Sequence, residues 1–178
     1  RALIGRIRGG LAQVNVLVSM FFAGMNGSVV ADTATVGALV LPAMKKAGYP
    51  AAFSAAVTGV SSTIGGIIPP SIMMIVLANS TELSIASLFA AGIIPGVLIG
   101  VVIMIINHYF AIKHNFERSD QPFSIRRAGR ELYRSSFALL IPVVLVGSVM
   151  GGVASVVEAG AITAMVALFT GVFVYRTI

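Results

Sequence analysis

Of 178 residues, 57% are hydrophobic and only 10% are charged, and the mean hydropathy is +0.99. That balance excludes an ordinary soluble domain and points to an all-α polytopic membrane protein, with 19 glycines to let helices pack closely. The net charge of +6 gathers in basic clusters and at Arg176, a topological pattern rather than a nucleic-acid footprint, and the lack of cysteine removes disulfides, thiol nucleophiles and cysteine metal sites.

A helix needs about twenty apolar residues to cross a hydrocarbon core of roughly 30 Å. Leu11 to Met25 and Val29 to Met44 each fall short. The first leaves a basic flank (Arg1, Arg6, Arg8) for the polar tip Asn26-Gly27-Ser28, and the second returns to Lys45-Lys46. Both flanks then face the cytoplasm, which predicts a re-entrant helical hairpin over about 11–44. The rival is one long helix from Leu11 to Met44 kinked at Gly27; its excessive length and the basic charge at both ends disfavour it.

After a turn at Gly48-Tyr49-Pro50, the chain is expected to climb from Ala51 to Ile68, break at Pro69-Pro70 and resume as Ser71 to Ala78, a broken helix over about 51–78. Asn79-Ser80-Thr81-Glu82 carries no basic residue and belongs on the far side. Gly92 to Ile112 returns to the cytoplasm at Lys113. Over 113–134, dense charge with Ile125, Ala128, Leu132 and Tyr133 at helical spacing predicts a cytoplasmic amphipathic arm. Phe137 to Met150 leads outward, Gly151-Gly152 turns, and Val153 to Val174 returns. The chain opens at Arg1 without a signal peptide and closes just after an apolar run, so residues 1–178 read as an excised piece of one membrane transport domain.

Hydrocarbon satisfies no free N–H or C=O group, so backbone breaks persist where they are buried in protein or line a polar cavity. Paired breaks point to a substrate and ion site, and the two here are expected to meet. The last carbonyls before Asn26-Gly27 carry partial negative charge, while Ser28 caps a second helix whose N–H groups suit an anion. At the second break, the carbonyls from Thr63 to Gly66 are expected to be freed, with Pro70 at a first helical position and Ser71 adding a hydroxyl. Hard oxygen ligands of this kind suit Na⁺ rather than a transition metal. Asn26, Gly27, Ser28, Thr63, Gly65 and Gly66 are therefore the candidate Na⁺ ligands, and Asn26, Ser28, Asp32, Pro70 and Ser71 the candidate substrate contacts. No catalytic residue and no organic cofactor are expected.

Blander readings exist for each residue. Pro69-Pro70 alone is a common kink, and Asn26-Gly27-Ser28 alone a packing notch; their matching depth in adjacent segments favours function. Asp32 either ligates or complements the helix N-terminus. Glu158 is read as snorkelling to water rather than relaying protons, and His108 and His114 as interfacial.

Gly5-Arg6-Ile7-Arg8-Gly9-Gly10-Leu11-Ala12, Phe22-Ala23-Gly24-Met25-Asn26-Gly27-Ser28-Val29-Val30-Ala31-Asp32, Pro42-Ala43-Met44-Lys45-Lys46-Ala47-Gly48-Tyr49 and Ser61-Ser62-Thr63-Ile64-Gly65-Gly66-Ile67-Ile68-Pro69-Pro70-Ser71, in this order and spacing, closely resemble the DctM-like large membrane (permease) subunit of TRAP transporters, within the ion transporter superfamily. Leu88-Phe89-Ala90-Ala91-Gly92-Ile93-Ile94-Pro95-Gly96 fits as well. The resemblance implies a bacterial inner-membrane transporter importing organic anions, dicarboxylates or sugar acids, on a Na⁺ gradient. It also implies an elevator mechanism, two inverted repeats, a small membrane subunit and a periplasmic substrate-binding protein. On that pattern, 1–112 matches the latter part of repeat one and 135–178 the start of repeat two, with the second hairpin lying beyond this chain. Two departures stand out: Asn26 replaces the family's usual Ser, and Ser155-Val156-Val157-Glu158-Ala159 replaces its Thr-Pro-Thr-Glu-Ala.

An organic-anion carrier of the same superfamily that needs no binding protein is the alternative within transport. A membrane enzyme using Ser28 or Ser71 as nucleophile lacks a His or Lys at membrane depth to activate it. A purely structural subunit would not need two polar breaks.

Overall fold

The computed structural model describes residues 9–114, 116 and 136–175, and every element among them is helical. Helix α1 (Gly10–Asn26) stops because Gly27 takes the left-handed conformation, φ 58°, and its N–H closes on the Ala23 carbonyl at 3.1 Å, a geometry glycine adopts without strain. Ser28 is extended, and its hydroxyl accepts from the Ala31 N–H to start α2 (Val29–Lys46). The two-residue link lets α2 pack back along α1. The kinked single helix is not what forms.

Helix α3 (Ala51–Ser62) ends well before Ile68, the expected break. A 3₁₀ turn, Thr63–Gly66, takes over, and the N–H groups of Ile67 and Ile68 both turn onto the Ile64 carbonyl at 2.9 Å. The reason is local: two glycines weaken the helix, and the residue ahead of a proline is driven from helical dihedrals. Pro70 is not the first helical residue either. The Pro69-Pro70 bond is cis, and Ser71 is the N-cap of α4 (Ile72–Thr81), its hydroxyl accepting from the Met74 N–H.

Helix α4 runs past Ala78 to Thr81, and Glu82 then turns left-handed at φ 56°. Helix α5 (Ile85–Lys113) begins well ahead of Gly92 because the Ser84 side chain caps it on the Ser87 N–H. At 29 residues it is, among the described residues, the one helix long and apolar enough to cross a membrane. Helix α6 (Ser136–Met150) leads to a turn at Gly151-Gly152, as expected, and α7 (Val156–Phe169) passes into a π-helical turn, Thr170–Tyr175. Arg1, Arg6, Arg8, Arg176 and most of the arm expected at 113–134 lie outside the described residues.

Glu158 is exposed, and it also has a structural task. Its carboxylate accepts from the Ser155 N–H at 2.8 Å and from the Ser155 hydroxyl at 2.7 Å, while that hydroxyl accepts from the Glu158 N–H. This reciprocal cap fixes the start of α7.

The main core lies between α1, α2, α3 and α5, where Val16, Val36, Met44, Val57, Ile64 and Ile103 are buried. A second core joins Phe89 of α5 to Val149 and Ala159 of α6 and α7. At one end of the bundle Tyr49 packs at a tilt against Phe116 with ring centroids 4.8 Å apart, and Phe53 lies 5.0 Å from Phe116. The C-termini of α2 and α5 therefore share that end. Burial there raises the Tyr49 phenol above its ordinary value.

Candidate functional site: two chain breaks in contact

The two breaks meet. The Ile72 N–H, first of helix α4, donates to the Gly27 carbonyl at 3.2 Å, joining the end of α1 to the start of α4. Gly27 permits this approach because it lacks a Cβ: one built there would run into the Pro70 carbonyl oxygen. Gly65 approaches from the other side at ordinary contact distance, a Cβ on it sitting 3.7 Å from the Ser28 carbonyl carbon, and one on Gly66 would fall 3.3 Å from Val29 Cγ2. Asn26 braces the turn, its Oδ1 accepting from the Ser28 N–H at 3.2 Å.

Ser71 ties the second break together. Its hydroxyl donates to the Gly66 carbonyl at 2.8 Å and accepts from the Met74 N–H, and the residue is fully buried. The Gly66 carbonyl is thus not left free, as the sequence suggested, although a carbonyl oxygen keeps a second lone pair for a cation. Around this junction converge the C-terminus of α1 and the N-termini of α2 and α4. Partial negative and partial positive backbone charge therefore stand side by side.

Helix α5 fixes the depth of the junction. Gly92 faces the Ile67 carbonyl and Gly96 faces Ile68, while Gly100 faces Met20 and Ala111 lies against Gly9. The breaks therefore sit about 14 Å from the N-terminal end of α5 and about 29 Å from its other end, at 1.5 Å per residue.

Of the candidate residues, Asn26, Gly27, Ser28, Gly65, Gly66, Pro70 and Ser71 are brought together. Thr63 and Asp32 have other surroundings. Thr63 is exposed and its hydroxyl turns onto the Val60 carbonyl at 2.7 Å. Asp32 is 0% exposed and lies beside Ser19 of α1 and Ser62 of α3. The residues missed from sequence are these interior polar partners, with Asn15, Thr58 and Ser61. Their signal was present: polar residues four apart in otherwise apolar helices, Asn15 with Ser19 and Thr58 with Ser62. Among the described residues no group of His, Cys, Asp or Glu could hold a transition metal, so the chemistry available at the junction is that of oxygen ligands and N–H donors.

Residues 1–178 match the family described as "Tripartite ATP-independent periplasmic transporter, DctM component". The chain is 37% identical over 175 residues to the C4-dicarboxylate TRAP transporter large permease protein DctM of Pseudomonas aeruginosa, covering 98% of this chain and 41% of that protein. It is 38% identical over 174 residues to the 2,3-diketo-L-gulonate TRAP transporter large permease protein YiaN of Escherichia coli, again 98% and 41%. With the sialic acid TRAP transporter permease protein SiaT of Haemophilus influenzae it shares 37% identity over 177 residues, 99% of this chain and 28% of that protein. The chain therefore spans about two fifths or less of these relatives' length, and by this match it belongs to the DctM family of TRAP transporter large permeases.

Proposed function

We propose that this chain is part of the large permease subunit of a secondary transporter that imports an organic anion, of the dicarboxylate or sugar-acid class, on a Na⁺ gradient. The observation that carries the reading is the hydrogen bond between Ile72 and Gly27, which joins two interrupted helices through backbone. Such a junction resists burial in lipid unless polar ligands complete it. Na⁺ suits the carbonyls at Asn26, Gly27, Gly65 and Gly66 and the hydroxyl of Ser28; Thr63 is kept from this set by its exposure. The substrate carboxylate suits the N-termini of α2 and α4, where Asn26, Ser28, Pro70 and Ser71 stand. In this reading α1 and α2 form a re-entrant hairpin in the bacterial inner membrane, and the domain carries its load by an elevator motion. The partners are a small membrane subunit and a periplasmic binding protein. Two relatives bear names consistent with a fused permease, the isethionate TRAP transporter permease protein DctMQ among them.

The test is uptake of labelled organic anions into proteoliposomes holding the full-length transporter. Accumulation should require both an inward Na⁺ gradient and the binding protein. Uptake that is indifferent to Na⁺ would refute the coupling, and Na⁺-driven uptake without any binding protein would favour the stand-alone carrier.

A further inference from the structure

All three lysines of the chain, Lys45, Lys46 and Lys113, stand where α2 and α5 finish, and all are exposed. Rings hold the two helix ends together: Tyr49 and Phe53 both pack on Phe116, Phe53 meets Phe110 at 6.3 Å, and His114 stacks on Phe110 and on Phe116. A lysine at a helix C-terminus commonly serves the last carbonyls. Here the backbone does that. The Ala43, Met44 and Lys45 carbonyls accept from the N–H groups of Ala47, Tyr49 and Gly48, and the Phe110 and Ala111 carbonyls accept from His114 and Phe116. No acid among the described residues neutralises the three charges. Asp32 is buried with both oxygens unpartnered, about 20 Å back along α2; Glu158 is bonded to Ser155; and Glu82 lies at the opposite end of α5.

Just before they turn basic, the same helix ends are apolar on their open sides. Helix α5 buries mostly small or polar residues, Gly92, Gly96, Gly100, Asn107 and Ala111, whereas Ile94, Leu98, Val101, Ile105 and Tyr109 are exposed, Tyr109 by 63%. Membrane helices meet one another through small residues, so the bulky face is the one suited to acyl chains. Tyr109 stands one turn before Lys113, and the exposed Leu39 stands under two turns before Lys45 on α2. An exposed tyrosine followed one turn later by a cation matches the passage from acyl chains to headgroups. A soluble anion has use for the lysines alone. The apolar rows leading up to them call for an anion that carries acyl chains.

We propose that this rim binds the headgroup of an anionic phospholipid, with Lys45, Lys46 and Lys113 serving its phosphate and the acyl chains lying along the exposed face of α5 that ends at Tyr109. A lipid held this way ties the end of α2 to the end of α5. The site stands on charge and packing and not on the ion-coupled reading above, so it is measured without transport. The purified full-length transporter is placed in nanodiscs of phosphatidylcholine with rising fractions of phosphatidylglycerol, and its melting temperature is followed. Phosphatidylglycerol should raise it. Replacing all three lysines by Gln should remove most of that gain, whereas replacing all three by Arg, which keeps the charge, should preserve it. Lys113→Gln alone should raise the phosphatidylglycerol fraction needed for half the gain by about fivefold, the factor that one lysine is worth near an anionic surface, and it serves as the readout if the triple variant does not assemble. A gain equal to wild type in the Gln variants overturns the site. So does an equal gain from inorganic phosphate in pure phosphatidylcholine, which would make the ligand a soluble anion.

Discussion

Gly27 and Ser71 carry the junction at the scale of single residues, for different reasons. Gly27 combines a left-handed backbone with the closest approach between the breaks. Gly27→Ala meets both a strain of about 1–2 kcal/mol for the left-handed conformation and a clash with the Pro70 carbonyl, so uptake should fall at least tenfold, while the more distant Gly48→Ala, which is also left-handed at φ 78° but whose Cβ meets nothing within 4 Å, incurs the strain alone and keeps most of it. Ser71→Ala removes an N-cap and the tie to Gly66, and should lower stability by about 1–2 kcal/mol, readable as a shift in thermal melting. Much of this was legible. Asn26-Gly27-Ser28 announces a stop and a cap through local chemistry alone, whereas Ser71 was read as an extra hydroxyl beside Pro70 because a proline at a first helical position is a common start. The serine cap decided the start of α4 instead. Glu158 was weighed only between reaching water and relaying protons, although Ser155 three residues earlier already spelled a cap.

Helix α5 shows what elements add. Gly92, Gly96 and Gly100 let it lie against the irregular stretch before α4 and against Met20 of α1. An added methyl has different consequences along this row. At Gly92 it meets the Ile67 carbonyl, which belongs to the break itself and has little room to yield. At Gly100 it meets the thioether of Met20, a flexible side chain that repacks at low cost. Gly92→Ala should therefore cut the uptake rate strongly, and Gly100→Ala only modestly, at equal expression; equal effects would separate α5 from the geometry of the break. The sequence located α5 but began it too late, since Ser84 and Ser87 look like loop residues until one of them caps the other. It missed the buried polar residues Asn15, Ser19, Thr58 and Ser62 because their spacing of four shows a shared polar face on each helix but not that the two faces meet, which packing decides.

The whole molecule sets the ends of α2 and α5 on one side, joined through Tyr49, Phe53, Phe110 and Phe116, and the link between α4 and α5 on the other. Impermeant labelling of intact cells and inverted vesicles should then reach cysteines at Lys46 and Lys113 from the cytoplasm and a cysteine at Glu82 only from outside. Reaching Lys46 from outside would contradict the hairpin and with it the junction's depth. Charge and length foretold this arrangement; the contact between the breaks required three dimensions, because Gly27 and Ile72, 45 apart in sequence, meet only after α3 has returned. The most direct test of the central claim is the Na⁺ dependence of uptake by Ser28→Ala in the reconstituted full-length transporter, with substrate binding to the separate binding protein as control. The account predicts a several-fold rise in the Na⁺ concentration for half-maximal uptake with that binding unchanged; uptake matching wild type at limiting Na⁺ would contradict an ion site where the two chain breaks meet.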